Sequence, residues 1–304
     1  MNASLKINSR DRLATQAKFK GRLFDLKVFT PVIIASVSLL LVSCGSNDNV
    51  NTDWSGWDGS CNDNVAGDLP TDMTWQWQLT DAIDTSVNAS MYDVDMFNVT
   101  QAEMEKLHAD GRTVICYFSA GTWEDWRDDK GDFPAEILGN TMEDWKDERW
   151  LDIRSSVVRK LMRTRLDMAV DKKCDGVEPD NMDGYLNKPG FDFDGFDQLD
   201  YNQFIAEEAH LRGLSVGLKN DVDQIRELLP CFDWALNEEC FAYNECGNYA
   251  PFVQAGKAVF HVEYVDKIAD GAALANKVCG NPSVKGLSTL IKDWNLSAWR
   301  IDCD

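Results

Sequence analysis

The sequence predicts a single α/β domain folded as a (β/α)8 barrel of the TIM type. Three observations predict this fold. Eight short β-rich segments alternate mostly with helical segments, polar residues fall just after the β-rich segments, and residues 44–304 suit one barrel of about 250 residues. A doubly wound sheet also alternates in this way, but the count of eight favours the closed barrel.

The N-terminus has the features of a bacterial export signal. Residues 1–43 carry seven basic side chains before an apolar run at 28–42, which is short for a membrane span of about 20 residues. The ending LVSC resembles a lipoprotein signal, which implies cleavage before Cys44 and attachment of lipid to it. A plain secretory signal and an uncleaved anchor are the alternatives. We therefore expect a signal at 1–43, a tether at 44–72 and the domain at 73–304, exported and lipid-anchored to the cell envelope (the outer membrane if Gram-negative).

The charge of the chain limits its partners. The net charge is −21, and because residues 1–43 contribute a net +5, the mature part is near −26. So acidic a protein is a poor ligand for nucleic acid, while a cationic or neutral substrate suits it. We expect a monomer.

Cysteine usage indicates disulfides rather than a metal site. Export makes disulfides common, and eight of the nine cysteines remain once Cys44 is lipidated. Cys240 and Cys246 are near enough to close a short loop, and a Cys61–Cys303 bond ties the two ends together; the sequence does not fix the pairing. The chain has no Cys-x-x-Cys pair, no ligand spacing among its histidines, no dinucleotide fingerprint and no P-loop, so we expect no metal and no cofactor.

The strands are predicted from apolar and β-branched content. The first alternates strongly, and the third is nearly all apolar, as in a parallel strand covered on both faces. The predicted strands are 75–79, 89–94, 113–118, 176–178, 214–218, 232–236, 258–262 and 287–291.

The helices are predicted from caps and helical spacing. Thr100 and Glu103 form a capping box for a helix that stops at Gly111, and Asp200 is predicted to cap a helix that runs to Arg212. Further helices are predicted at 153–172, 222–229, 249–255 and 269–278. The predicted loops include 191–199 and a long one after the third strand that holds Trp126, Trp145 and Trp150.

The segment 174–185 is the most distinctive stretch of the chain. Four carboxylates crowd into nine residues after a short apolar run, and Pro179 argues against a continuing helix or central strand. A solvated acidic turn is the structural alternative. Polar residues follow other strands too, and in a barrel all of them line one rim: Asp93, Ser119, Asp180, Lys219 with Asn220, Glu238 and Glu263.

Two carboxylates that face a cleft suit glycoside hydrolysis, in which one acts as an acid and the other as a nucleophile or base. Aromatic side chains near the rim are candidates for stacking on sugars, although each alone also fits core packing. They are Trp75, Trp77, Tyr117, Trp123, Tyr185 and Tyr264.

Five motifs, in this order, resemble glycoside hydrolase family 114: WQWQL at 75–79, CYFSAG at 116–121, DGVEPDN at 175–181, GLKN at 217–220 and NEEC at 237–240. The resemblance covers residues 73–291. It implies a (β/α)8 endo-α-1,4-polygalactosaminidase whose catalytic pair is Asp180 and Glu238, with Glu178 and Glu239 as the respective reserves. We favour Glu238 as the general acid and Asp180 as the nucleophile or base.

The resemblance also implies the substrate and its contacts. The substrate is a cationic, partly N-acetylated α-1,4-linked galactosamine polymer of exopolysaccharide or biofilm matrix, and a Cys240–Cys246 disulfide lies beside the catalytic Glu. Two alternatives stay open, a non-catalytic polysaccharide-binding lipoprotein and a hydrolase of another α-linked glycan. The candidate substrate-binding residues are Asp93, Tyr117, Glu178, Asn181, Lys219, Asn220, Glu263 and Trp77.

Overall fold

Eight parallel strands form a nearly closed barrel in the computed structural model, which describes Cys61 and residues 67–303. The barrel strands pair in chain order, which confirms the predicted (β/α)8 class, and all eight predicted strands are present. They are β1–β3 and β7–β11 of the following set: β1 (Trp75–Gln78), β2 (Met91–Asp95), β3 (Thr113–Ser119), β4 (Thr122–Glu124), β5 (Leu138–Thr141), β6 (Glu148–Leu151), β7 (Gly176–Asp180), β8 (Ser215–Lys219), β9 (Trp234–Glu238), β10 (Val259–Val265), β11 (Ser288–Asp293) and β12 (Arg300–Asp302).

The last turn of the chain bridges the seam between β1 and β11. β12 adds to β11 in the antiparallel sense. The Trp75 indole Nε1 donates to the Ser288 carbonyl at 3.1 Å, and the Leu79 amide donates to the Leu296 carbonyl at 3.0 Å. The first bond joins a β1 side chain to the backbone of β11, and the second satisfies the backbone amide that directly follows β1, so both join the two sides of the seam.

The helices surround the sheet. They are α1 (Gln101–Ala109), α2 (Ser156–Asp171), α3 (Gly195–His210), α4 (Ile225–Leu228), α5 (Cys240–Tyr243), α6 (Ala250–Gln254) and α7 (Gly271–Val278). The capping box predicted at Thr100 and Glu103 is confirmed, because each side chain accepts from the backbone amide of the other. Within residues 67–303, no helix has the length and apolarity needed to cross a membrane.

The lower part of the barrel interior is filled by aromatic and aliphatic side chains. The Phe260 ring lies 5.0 Å from Trp75 and 5.5 Å from Trp234, measured between ring centroids. Gly217 faces Trp234 so closely that a Cβ atom there would be 2.3 Å from the indole ring, which explains the glycine. Because alternate residues of a strand point to opposite faces, the interior-facing residues beyond this floor carry the polar groups of the rim.

Two of the predicted helical and loop boundaries are wrong. The helix predicted to begin at Asp200 begins at Gly195, because Asp194 caps it by accepting from the amides of Phe196 and Asp197. Asp200 pairs with Arg159 instead. The predicted 191–199 loop is therefore partly helical.

The long loop predicted after β3 contains an antiparallel sheet with the order β4-β6-β5. Its strands are only three or four residues long, and β5 pairs with β6 through an irregular register. Short, irregular strands leave little periodicity to detect in the sequence. Trp150 lies in β6 and is buried, whereas Trp126 and Trp145 are about half exposed.

Four disulfides join the eight cysteines that follow Cys44. The Cys240–Cys246 bond is present, but the suggested Cys61–Cys303 bond is wrong. The other bonds are Cys61–Cys231, Cys116–Cys174 and Cys279–Cys303. Cys61 is bonded to Cys231, just before β9, and the nearby segment contacts β8, where the Ser215 hydroxyl donates to the Gly67 carbonyl; Cys303 after β12 is bonded to Cys279 at the end of α7. Cys44, the signal at 1–43 and most of the 44–72 tether lie outside the described residues.

Candidate active site

Three neighbouring strands end in charged residues at one rim of the barrel. β7 ends at Asp180, β8 at Lys219 and β9 at Glu238, and the three strands are parallel neighbours. β7 was predicted to end at Glu178, but it continues through Pro179 in register with Phe118 of β3. That extension places Asp180 at the carboxyl end, where barrel enzymes carry their active sites.

Lys219 lies between three carboxylates. Its Nζ is 2.6 Å from Glu178 Oε1, 3.3 Å from Asp180 Oδ1 and 3.5 Å from Glu238 Oε2, and its side chain is 2% exposed. Burial acts to lower the pKa of Lys219, but the three carboxylates outweigh it and raise that pKa well above its ordinary value. Lys219 is therefore a fixed positive charge that holds the carboxylates together.

Asp180 is held on both carboxylate oxygens. Its Oδ1 accepts from the Asn181 amide at 2.8 Å and lies near Lys219, and its Oδ2 accepts from the Tyr117 hydroxyl at 3.1 Å. Asn181 has a left-handed backbone (φ 62°), which asparagine tolerates better than most residues. The predicted residues Tyr117 and Asn181 thus orient Asp180.

Glu238 is held in the same manner. Its Oε1 accepts from the Tyr264 hydroxyl at 2.5 Å, and its Oε2 accepts from Asn220 Nδ2 at 3.0 Å and lies near Lys219. Burial acts to raise the pKa of Glu238, but the charge of Lys219 and these hydrogen bonds outweigh it, so the pKa is lowered. Glu238 is ionised in the resting site.

The two carboxylates share one cleft. Because Lys219 Nζ is 3.3 Å from Asp180 Oδ1 and 3.5 Å from Glu238 Oε2, these oxygens are at most the sum of the two distances apart, 6.8 Å. The Asp180 side chain is 19% exposed and the Glu238 side chain 28% exposed, so a ligand can reach both. Both carboxylates are therefore open to solvent at the same rim of the barrel.

Three of the predicted substrate contacts lie below this surface. Asp93, Glu178 and Trp77 are buried, and Trp77 Nε1 donates to Glu178 Oε2 at 3.0 Å. Burial raises the pKa of Glu178 to about 7, although Lys219 opposes the shift. These residues support the site from beneath, as does the buried Lys219, and their contact with a substrate stays a prediction.

Asn220 connects Glu238 to Asn237 and, through Asn237, to the Cys240–Cys246 disulfide. Its Oδ1 accepts from the Glu238 amide at 3.0 Å and from Asn237 Nδ2 at 3.3 Å. Asn237 Oδ1 accepts from the Cys240 amide at 2.9 Å, and Cys240 is bonded to Cys246. The disulfide therefore acts on the catalytic region through Asn237.

A second network supports Asn181, and the sequence did not reveal it. Asn181 Nδ2 donates to the Ser119 hydroxyl at 2.9 Å, and the Thr122 hydroxyl donates to Glu148 Oε2 at 2.6 Å while lying 2.5 Å from that of Ser119. Burial raises the pKa of Glu148 to about 8. Glu148 lies in the inserted sheet, far from any predicted strand end, so its position carried no signal.

Glu263 lies apart from this cluster. Its Oε1 lies 2.9 Å from His261 Nε2 and accepts from the amides of Phe241 and Ala242 in α5. These contacts tie Glu263 to α5, and its predicted contact with substrate stays a prediction. His261 also lies with Cys240 and Cys246 in a group whose ligand atoms are within 4.8 Å of one another, but the disulfide uses both sulfurs.

Tyr264 and Trp294 form an aromatic pair at the rim. Their ring centroids are 4.1 Å apart at an interplanar angle of 17°. Tyr264 was among the predicted aromatic candidates, whereas Trp294 was missed because it follows the last strand in a segment that was predicted only as a strand end. The Trp294 indole Nε1 donates to Asp266 at 3.2 Å. Trp294 therefore packs against the tyrosine that binds Glu238.

The parallel barrel and its paired rim carboxylates define the class, a (β/α)8 glycoside hydrolase. A family model for glycoside-hydrolase family GH114 matches residues 59–304, and the chain belongs to that family. Aspergillus fumigatus Ega3, solved in complex with galactosamine, is 43% identical, with a TM-score of 0.75 over 79% of this chain and 98% of that one.

The glycoside hydrolase domain of PelA from Pseudomonas aeruginosa shares the fold. Its sequence identity is 11% and its TM-score is 0.60, over 75% of this chain and 97% of that one. Among curated protein sequences, none matches the chain. The match to the family model over residues 59–304 shows that the chain is a glycoside hydrolase.

Proposed function

We propose that this enzyme is an endo-acting hydrolase of α-1,4-linked galactosamine polymers and that Asp180 and Glu238 cleave the bond. The observation that carries the proposal is the junction at Lys219, by which we mean the contacts of Lys219 Nζ with Glu178, Asp180 and Glu238. This junction brings Asp180 and Glu238 to one open rim. Each carboxylate also accepts from a tyrosine hydroxyl, which fixes its orientation. Preorganised polar groups of this kind account for much of the rate enhancement of many enzymes.

The substrate class rests on two arguments. Ega3, which is 43% identical over most of this chain, was solved with galactosamine. The chain also carries a net charge of −21, and an acidic protein attracts a polymer with free ammonium groups. The positive charge of such a polymer thus complements the negative charge of the protein, whereas a neutral glycan gains nothing from this field.

The separation of the carboxylates favours retention of configuration. Retaining glycosidases hold their carboxyl groups about 5–5.5 Å apart, and inverting ones roughly 6.5–9.5 Å. The 6.8 Å value is an upper limit for Asp180 Oδ1 and Glu238 Oε2, and it admits the retaining range and the lowest part of the inverting one. Within this range we propose a double displacement.

In the first step, Glu238 reacts in its protonated form and gives this proton to the leaving glycosidic oxygen, while the Asp180 carboxylate bonds to the anomeric carbon. In the second, water adds to that carbon and gives a proton to Glu238, and Asp180 departs. Glu238 is the more exposed of the two, which suits exchange of protons with solvent. Its lowered pKa means that Glu238 must first take up a proton, so activity falls as pH rises above the acidic range.

A reducing-end assay tests the substrate. Purified residues 45–304 are incubated with a partly deacetylated α-1,4-galactosamine polymer and with the fully N-acetylated form, and Glu238→Gln is the control. We expect new reducing ends from the wild type alone and faster release from the cationic polymer. Saturable binding without cleavage would contradict the hydrolase and indicate a polysaccharide-binding protein. Cleavage of a neutral α-glycan alone would contradict the proposed substrate.

The cellular location is also a proposal. The basic segment, the apolar run and the LVSC ending support export and lipid attachment at Cys44, which would place the enzyme on exopolysaccharide or biofilm matrix at the cell envelope. Membrane fractionation of the full chain and of Cys44→Ser tests this. We expect the wild type in the membrane fraction and the variant released; equal distribution would contradict it.

A further inference from the structure

Asp93 is an unusual carboxylic group. It is 0% exposed, on β2, and neither of its oxygens has a hydrogen-bond donor among the described residues. A buried carboxylate without a donor or counter-charge is strongly disfavoured, so such a group takes up a proton instead. Nothing in the catalytic step above uses Asp93.

The charged groups that face Asp93 come from two strands. β7 contributes Glu178 and Asp180, and β8 contributes Lys219. The adjacent strands contribute aromatic groups: Trp77 of β1 donates to Glu178, and Tyr117 of β3 donates to Asp180. Asp93 is therefore surrounded by donors that are already directed at other carboxylates.

Asp93 lies beside Trp77 in the β1–β2 register, and the Trp77 indole binds Glu178, so Asp93 and Glu178 are neighbours in the barrel interior. Because no donor is directed at Asp93, two ionised carboxylates would repel each other there, and one of the two must hold a proton. Glu178 already accepts from Lys219 Nζ on Oε1 and from Trp77 Nε1 on Oε2, which stabilises its ionised form. The proton therefore lies on Asp93, and burial followed by the charge of Glu178 raises the pKa of Asp93 well above its ordinary value.

We propose that Asp93 is a positioning residue that works as a neutral acid: it donates to Glu178 and so fixes the carboxylate that anchors Lys219 between Asp180 and Glu238. Its importance for turnover rests on the proposed function. Asparagine at position 93 can still donate to Glu178, whereas leucine can neither donate nor accept. The two variants therefore separate the hydrogen bond from the volume of the side chain.

The protonation state is tested by infrared spectroscopy on the ligand-free enzyme. The difference spectrum of wild type minus Asp93→Asn at pH 8, above the pKa of about 7 of Glu178, is expected to show one fewer carboxylic-acid C=O band in the variant. The matched control is Asp95→Asn on the same strand, because the Asp95 carboxylate pairs with Arg127 at 2.8 Å instead of with another carboxyl group. An unchanged acid band in Asp93→Asn would overturn the proposal.

Turnover tests the positioning role. A hydrogen bond to a charged group contributes about 1.5–3 kcal/mol, so Asp93→Leu should lower kcat roughly 10- to 100-fold. Asp93→Asn should recover most of that loss, with little change in KM in either variant. Loss in Asp93→Asn as large as in Asp93→Leu would overturn the role. If the wild type cleaves no galactosamine polymer, the proposed function fails, and the infrared result alone still decides the state of Asp93.

Discussion

Replacement of Lys219 by methionine removes the charge on which the site is built. Lys219 is 2% exposed and lies 2.6 Å from the fully buried Glu178. Removing one partner of a buried ion pair costs about 3–5 kcal/mol, because it leaves an uncompensated charge. For a domain of this size, each 1 kcal/mol lowers the melting temperature by about 2–4 °C, so Lys219→Met should melt roughly 6–20 °C below the wild type at pH 8.

The loss should depend on pH in a predictable direction. Burial already raises the pKa of Glu178 to about 7 with Lys219 present, and removal of the lysine raises it further. A raised carboxyl pKa stabilises the folded state at low pH, and that contribution is lost as pH rises through the folded pKa. Lys219→Met should therefore come closer to the wild type at pH 5 than at pH 8.

Thermal melting followed by circular dichroism at pH 5 and pH 8 measures both effects. The control is Lys106→Met, since Lys106 contacts Asp110 at 2.9 Å on the exposed surface and contributes little. A melting temperature of Lys219→Met equal to that of the wild type at pH 8 would refute the role of Lys219 as the counter-charge. A larger difference in melting temperature at pH 5 than at pH 8 would also refute it. Loss of cleavage activity should accompany the destabilisation, because Asp180 and Glu238 lose their shared counter-charge.

Three further predictions follow from the site. Tyr264→Phe removes the 2.5 Å hydrogen bond to Glu238, so kcat/KM should fall about 10- to 100-fold and the alkaline limb of the pH profile should move to higher pH, as measured by initial rates. Replacing Cys240 and Cys246 by serine opens a loop of sequence separation 6, which should lower the free energy of unfolding by about 2 kcal/mol in urea titrations and reduce activity through Asn237. Proton NMR of the first products should show the retained α-anomer; the β-anomer would contradict the double displacement.

The barrel could be predicted because its signals are local and repeated. Each parallel strand is a short apolar run, and the polar residue that follows it marks the rim, as at Lys219 and Glu238. Thr100 and Glu103 form a capping box that is visible from their spacing alone. The rim pair was expected from the same reasoning, together with the family resemblance.

The errors have physical causes. Asp194 and Asp200 are both plausible caps, and only tertiary contacts, such as the ion pair of Asp200 with Arg159, distinguish them. Glu263 follows a predicted strand as the rim carboxylates do, but it lies within β10, and its side chain accepts from the Phe241 amide of α5. The sequence also does not show how deeply a side chain is buried. Asp93 was expected to contact the substrate, and the structure places it beneath the site.

The most direct test of the account measures reducing ends released from partly deacetylated α-1,4-galactosamine polymer by Asp180→Asn, Glu238→Gln and Glu239→Gln beside the wild type. Glu239→Gln is the matched control, since it removes the adjacent carboxylate and leaves the contacts of Lys219 with Glu178, Asp180 and Glu238 in place. We expect no detectable release from Asp180→Asn or Glu238→Gln and nearly wild-type release from Glu239→Gln. Full activity in Asp180→Asn or Glu238→Gln, or loss only in Glu239→Gln, would contradict the assignment of the catalytic pair.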